Sequence, residues 1–111
     1  MRTRNFIILS AIIALEASCN KTETFTPVCD GSSPTYDADI SLIIQQNCNQ
    51  CHGSGSSNGD LSTYAGISTV TSNGKFEQEV LTNQTMPQNG SLTEAQLNKI
   101  KCWVENGYPE N

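Results

Sequence analysis

The chain has 111 residues, which fits one small domain, and its formal net charge at pH 7 is −5. Because binding to phosphates needs a basic face, this charge excludes nucleic acid as a partner and predicts a basic contact surface on any electrostatically steered partner. Charged residues make up 15% of the chain and aromatic residues 6%, so a staple or a cofactor is expected to supplement the core.

The first residues have the pattern of an export signal. Two arginines precede an apolar run from Phe6 to Leu15, and small residues follow it. The run is too short to span a bilayer comfortably. The sequence therefore predicts a signal peptide of the lipoprotein type over residues 1–18, with a lipid on Cys19. Lipoproteins usually have an aliphatic residue at the position of Glu16, so ordinary cleavage is the alternative.

A change of pattern near residue 36 marks the predicted domain boundary. Residues 19–35 are polar and contain proline and glycine, which predicts a tether or an extended arm. The domain is predicted over residues 36–111. Its first helix is indicated by isoleucines 40, 43 and 44, which share one face, and Asp37 is the predicted N-cap.

The middle of the chain predicts short helices separated by loops. Gly53 to Asp60 is rich in glycine, serine and asparagine, which is typical of a surface connection. Ser62 is predicted to cap a short helix, and Asn73-Gly74 indicates a turn after it. Lys75 to Leu81 predicts one or two helical turns with their apolar side chains inward.

The last helix has the strongest signals. Thr93 and Gln96 fit a capping box, and Gly107 is the predicted residue just beyond the C-terminus. The apolar stripe consists of Leu97, Ile100 and Val104, with Trp103 beside it. Because strand signals of similar quality are missing from the sequence, the predicted fold class is all-α, with three to four helices and long loops.

Cys48-Asn49-Gln50-Cys51-His52 is a C-x-x-C-H sequence, which is the attachment pattern of c-type haem. Residues i, i+3 and i+4 of a helical turn face one side. Two thiols in this spacing can each bond a vinyl group of one porphyrin, and the next residue brings an imidazole to the iron. The motif therefore predicts one covalent haem c on Cys48 and Cys51, with His52 as an axial ligand.

The cysteine pair has three other uses to consider. A thioredoxin-like redox site would need a βαβ context, which the sequence does not indicate. A zinc site would need Cys29 and Cys102 as further thiolates, although zinc ligands usually come in close pairs. A simple disulfide between Cys48 and Cys51 would be stable outside the cytosol. None of these uses accounts for the histidine that follows at once.

Met86 is the predicted second axial ligand. His52 is the only histidine of the chain, and the other methionine, Met1, would leave with the signal. Met86 precedes Pro87 in the loop predicted from Thr85 to Gly90, where the proline restricts the backbone. A role as core filler is the alternative.

These segments resemble a small class I cytochrome c domain, and more narrowly the single-haem cytochrome lipoproteins of bacterial envelopes. The resemblance is carried by Tyr36 to Gly53, Gly59 to Tyr64, Met86-Pro87 and Leu92 to Gly107. It implies a cytochrome c-like all-α fold in which the first helix crosses the last, with the haem edge exposed. Many members have a proline soon after the haem motif, near the carbonyl that contacts the histidine. Here Gly53 to Asp60 has none, which leaves the partner of His52 open.

The resemblance implies electron transfer rather than catalysis, in the periplasm or on an envelope membrane, with other redox proteins as partners and a lipid anchor. A haem enzyme or a ligand sensor would need a displaceable sixth ligand. A haem-free, disulfide-stapled lipoprotein module is a third possibility. In the cytochrome interpretation, Cys19 takes the lipid and Cys29 and Cys102 remain as a pair, which predicts a disulfide between the arm and the last helix.

Overall fold

The computed structural model describes residues 23–111, and all regular structure within this range is helical. The prediction of an all-α chain is confirmed for this range. The predicted signal peptide over residues 1–18 and the predicted lipidation of Cys19 lie outside it. Within residues 23–111, every helix is too short or too polar to cross a membrane.

Six helical segments follow one another within residues 23–111. A π-helical segment, Tyr36–Ile40, continues directly into α1, Ser41–Asn47, and α2 spans Asn49–His52. After a loop, α3 spans Tyr64–Ser72, a second π-helical segment spans Glu77–Thr82, and α4 spans Glu94–Glu105.

The N-cap of the first helix lies two residues before the predicted one. Thr35 is extended and its hydroxyl accepts a hydrogen bond from the Ala38 N–H, so Thr35 is the N-cap. Asp37 lies in the first turn instead, where a carboxylate interacts favourably with the helix dipole. The isoleucine face is buried as predicted, with Ile40 and Ile44 at most 1% exposed.

Helix α4 agrees closely with its sequence signals. Both hydrogen bonds of the capping box between Thr93 and Gln96 are present, and Gly107 has a positive φ just beyond the helix. The buried residues of the helix are Leu97, Ile100, Cys102 and Trp103. Val104, which was predicted to belong to the apolar stripe, is only partly buried.

Trp103 joins α4 to the C-terminal tail and to the first helix. It is fully buried, and its indole N–H donates to the Pro109 carbonyl at 2.9 Å. The same carbonyl accepts the Tyr36 N–H at 2.9 Å, and the Asp37 N–H donates to the Glu110 carbonyl. The first turn of the first helix is therefore held against the C-terminal tail that follows α4, because its otherwise orphaned N–H groups find partners there.

The predicted Cys29–Cys102 disulfide is present, with a Cα–Cα distance of 4.5 Å. On one side of it the Val28 N–H donates to the Asn98 side chain, and on the other the Asn106 amide donates to the Ser32 carbonyl. Positions 98, 102 and 106 are four residues apart, so they share one face of the helix and its C-terminal end. The arm therefore lies along α4, running in the same chain direction.

The arm also contacts the domain before the disulfide, at Phe25. Phe25 packs against the hydrophobic core, and its carbonyl accepts a hydrogen bond from the Gln84 side chain at 2.5 Å. The segment predicted as a flexible tether therefore contacts the helical domain from Phe25 onward.

Helix α3 is capped one residue later than predicted. The Thr63 hydroxyl accepts the Gly66 N–H, whereas Ser62 bonds to the Asp60 carboxylate. A Cβ at Gly66 would lie 2.0 Å from the Asp60 carbonyl oxygen, so the helix and the preceding loop can approach this closely only with glycine. The next segment has Phe76, Val80 and Leu81 buried, as predicted.

Candidate functional site

The C-x-x-C-H motif forms a compact turn at the end of α1. The Cys48 N–H still bonds back to the Ile44 carbonyl, and the Cys48 carbonyl accepts the N–H groups of Cys51 and His52 at 3.1 and 2.9 Å. This one carbonyl closes the turn that contains both thiols and the imidazole. These backbone hydrogen bonds therefore fix the spacing of the three side chains.

The two thiols differ in environment and are not bonded to each other. Cys48 is half-buried and Cys51 is exposed, and both are free cysteines. Burial raises the pKa of the Cys48 thiol to about 11, so it is uncharged at neutral pH. Because both thiols are free, the structure does not contain the disulfide that was the alternative for this pair. Cys29 and Cys102 are joined to each other and lie elsewhere, so they do not complete a four-thiolate zinc site.

His52 has a hydrogen-bond partner that the sequence left open. Its Nδ1 lies 3.1 Å from the Gly59 carbonyl oxygen. A carbonyl only accepts, so this contact places the ring proton on Nδ1 and leaves the Nε2 lone pair for a metal. The loop is held in place on the other side because the Leu61 N–H donates to the His52 carbonyl at 2.8 Å.

Gly59 can present its carbonyl because its backbone is unusual. Its φ is +99°, in a region that side chains with a Cβ rarely adopt. The glycine-rich loop from Gly53 to Asp60 is therefore more than a connection. It turns back over the motif and orients the imidazole. The sequence predicted only that this segment is a surface loop.

The motif borders a cavity of about 470 Å³, a volume within the usual range for small-molecule and cofactor sites. Cys48, Cys51 and His52 form part of its wall, and Met86 and Pro87 form another part. The apolar side chains between them come from several elements, namely Leu61, Val70, Phe76 and Val80. Two charged side chains, Lys75 and Glu79, also line the cavity.

Met86 is held in place by backbone contacts to the second π-helical segment. The N–H groups of Thr85 and Met86 both point to the Glu79 carbonyl, at 2.9 and 3.3 Å, and the Thr85 hydroxyl bonds to the Glu79 carboxylate. Met86 is partly buried against the core cluster and still lines the cavity. Met86 therefore lies at the cavity, as a ligand would have to, and it also fills part of the core, which was the alternative role.

The structure thus places four of the predicted site residues around one cavity: Cys48, Cys51, His52 and Met86. Sequence reasoning missed the Gly59 carbonyl and the contribution of Val70. It predicted that Phe76 and Val80 point inward, but only as core residues and not as part of a cavity wall. A periodic apolar pattern indicates which residues turn inward, and it carries no information on whether they meet each other or a bound group.

The residues present fit a covalent haem. Two thiols and an imidazole with a free Nε2 lie on the cavity wall, a thioether lines the same cavity, and most of the remaining buried lining is apolar. An apolar wall suits the porphyrin, and soft sulfur with imidazole suits iron. Comparisons with protein-family models, with curated proteins and with solved structures found no match to this chain.

Proposed function

We propose that this protein is a small c-type cytochrome that carries electrons through one haem. Thioether bonds at Cys48 and Cys51 would hold the haem, and His52 and Met86 would be the axial ligands of its iron. The observation that carries the proposal is the meeting of these four side chains at one cavity, although Met86 is far from the motif in the chain.

The chain's own residues favour an iron with two strong protein ligands. The Gly59 carbonyl fixes the tautomer of His52, and a carbonyl partner of this kind raises the basicity of the ligating nitrogen. The haem supplies reversible one-electron chemistry, and methionine ligation raises its reduction potential. Two strong ligands leave the iron without an open position, so the protein acts as a carrier and not as an enzyme.

The cytochrome c fold is part of the same proposal. The contact between the first turn of the first helix and α4, built on the Pro109 carbonyl and Trp103, agrees with the crossing of first and last helices in that family. The family would then also account for the position of the motif just after the first helix.

We also propose export to the bacterial cell envelope, with a lipid on Cys19 as the membrane anchor. The disulfide supports an oxidising compartment, because such bonds are rare in the cytosol. In an exporting host, Cys19→Ser should move the protein from the membrane fraction to the soluble fraction. A wild-type protein that is already soluble would favour ordinary cleavage at residue 18.

The deciding experiment is the intact mass of protein that has matured in an exporting host equipped for cytochrome c assembly. We expect the peptide mass plus one haem, and a pyridine haemochrome spectrum typical of two thioether bonds. The matched control is the Cys48→Ala/Cys51→Ala variant, in which the haem should be extractable or absent. A wild-type protein without covalent haem would overturn the proposal and favour the haem-free, disulfide-stapled module.

A ligand test separates the carrier from a haem enzyme or a sensor. With Met86 on the iron, carbon monoxide should bind the reduced protein slowly or not at all, and Met86→Ala should bind it readily. Equal binding by both proteins would show that Met86 is not the ligand.

A further inference from the structure

Gln84 has an unusual backbone conformation two residues before Met86. Its φ is +50°, and Tyr108 is the only other non-glycine residue of the described range with a positive φ. A Cβ crowds the backbone in this left-handed region, which glycine or asparagine would occupy at a lower cost. A glutamine at this position therefore calls for a role of its side chain that offsets the strain.

The side chain of Gln84 ties the methionine loop to the arm. Its amide donates to the Phe25 carbonyl at 2.5 Å and makes a longer contact, of 3.4 Å, with the Leu81 carbonyl. The first of these bonds joins positions 59 residues apart, whereas the second spans three residues of the local turn. The amide therefore links the turn before Met86 to a distant segment of the chain.

The arm is a fixed support for this bond. Every second residue of the arm is partly buried, namely Phe25, Pro27 and Cys29, whereas residues 24, 26, 28 and 30 are exposed. Such alternation is typical of an extended segment with one face on the domain. The Phe25 ring packs against the core at one end, and the disulfide fastens the arm to α4 at the other. Four residues of extended chain reach about 13 Å, so the arm connects α4 to the turn at Gln84 over roughly that distance.

The other hydrogen bonds that hold Met86 come from a single residue. The N–H groups of Thr85 and Met86 share the Glu79 carbonyl, and the bond from Met86 is the longer one, at 3.3 Å. The Thr85 hydroxyl bonds to the carboxylate of the same Glu79. Gln84 adds a contact with a different part of the molecule, so the turn is held from two directions. The path of the chain through this turn decides where the Met86 sulfur can lie at the cavity.

Resting on the proposed function, we infer that Gln84 is a positioning residue for Met86 and that it acts through its hydrogen bond to the arm. With this bond in place, the turn holds the thioether at the cavity and the sixth position of the iron stays closed to other ligands. Without it, the turn relaxes, because the strained backbone of Gln84 loses the contact that offsets its cost. The closed fraction then falls, although Met86 and both thioether bonds are unchanged.

The test uses the oxidised, haem-loaded protein and imidazole, which binds iron through nitrogen and competes with Met86 for the sixth position. The apparent affinity of such a competitor is proportional to the fraction of protein in which the position is open. An optical titration therefore measures how firmly Met86 is held. Met86→Ala marks the open limit and should bind imidazole far more tightly than the wild type.

Gln84→Asn separates the side-chain bond from the backbone turn. Asparagine tolerates a positive φ, but its amide is too short to keep the bond to Phe25. We expect the apparent imidazole affinity to rise about fivefold or more, the factor that one neutral hydrogen bond supplies. The denaturant midpoint should change little, because strain is relieved as the bond is lost. Gln88→Asn is the matched control, because Gln88 lies two residues after Met86, lines the same cavity and is exposed, and it should change the affinity by less than about twofold.

A second variant tests the part played by the arm. Phe25→Ala removes the ring that packs the arm on the core, so it should raise the imidazole affinity as well. In that background Gln84→Asn should add less than about twofold, because two changes that break one interaction are not additive. A full effect of Gln84→Asn in the Phe25→Ala background would show that Gln84 does not act through the arm, and would overturn the inference.

The outcomes separate this inference from the proposed function. Wild-type imidazole affinity in Gln84→Asn, or an equal rise in Gln88→Asn, would overturn the positioning role while the covalent haem and its Met86 ligand stood. Equal imidazole binding by the wild type and Met86→Ala would remove Met86 as the ligand, and a mass spectrum without haem would overturn the proposed function. Either of these last two results would overturn the inference as well.

Discussion

Two parts of the domain bury their side chains to different degrees: the core around Ile40, Ile100 and Trp103, which we call the closed end, and the residues that line the cavity, which we call the cavity end. At the closed end, Ile40, Ile100 and Trp103 are fully buried, and the indole N–H has a carbonyl partner. At the cavity end, His52 and Met86 are only partly buried and border a cavity of about 470 Å³. The difference indicates that the closed end supplies most of the stability, whereas the cavity end is shaped for a bound group.

The largest effect is expected from the closed end. Trp103→Ala should lower the free energy of unfolding by about 3–5 kcal/mol, because it removes a large, fully enclosed side chain. Denaturant unfolding measures the loss. Trp103→Phe, which keeps much of the apolar volume and loses the bond to Pro109, should cost less. A loss below about 1 kcal/mol for Trp103→Ala would show that the closed end does not dominate stability.

The disulfide should have the next largest effect. Replacing Cys29 and Cys102 together by alanine removes a cross-link with a sequence separation of 73, which the chain-entropy account values at about 4 kcal/mol. Thermal unfolding should report this loss, while the haem spectrum stays unchanged. Val28→Ala is the matched control, because this exposed neighbour leaves the cross-link intact. Free thiols at both positions of the oxidised wild type would contradict the prediction.

Met86 tests the cavity end with little effect on stability. Met86→Leu keeps a similar volume, so the free energy of unfolding should change by less than about 1.5 kcal/mol. The far-red charge-transfer band that the cytochrome resemblance implies should disappear, and the reduction potential should fall because the thioether favours reduced iron. Leu92→Ala, at another partly buried position, should leave the band unchanged. A band that persists in Met86→Leu would assign the sixth ligand elsewhere.

The smallest effect is expected in the loop over His52. Gly59→Ala and Gly55→Ala both place a Cβ at a positive φ with open space around it, so each should cost about 1 kcal/mol or somewhat more. Only Gly59 presents its carbonyl to His52. Gly59→Ala alone should therefore shift the reduction potential in a voltammetric titration. Equal shifts in both variants would show that the carbonyl contact does not tune the ligand.

The success of sequence reasoning depended on how local each signal was. The capping box of Thr93 and Gln96 and the stop at Gly107 are set by residues a few positions apart, so α4 was predicted closely. The N-caps Thr35 and Thr63 lie one or two residues from the predicted positions. The prediction missed them because Asp37 and Ser62 are chemically able to cap as well. Tertiary contacts decide between such neighbours.

The parts of the site that depend on the backbone path were not predictable. The Gly59 carbonyl faces His52 only because the loop turns at a positive φ, and the sequence indicates flexibility there but not direction. The arm was predicted to be joined to the last helix by the disulfide, but its hydrogen bonds to Asn98 and Asn106 were not predictable, because they involve polar residues without periodicity. By contrast, the four ligand candidates followed from residue chemistry alone.

The docked arm sets how far the domain could travel from a membrane. If Cys19 carries the proposed lipid, six residues lead from it to Phe25, which is already packed on the domain. A fully extended chain of that length reaches about 20 Å, less than the width of many small domains. The Phe25 carbonyl also accepts a hydrogen bond from Gln84, two residues before Met86. The segment that leads to Cys19 would therefore leave the domain beside the methionine loop. The domain would then pivot close to the bilayer with that side inward, and only partners within this short radius would meet it.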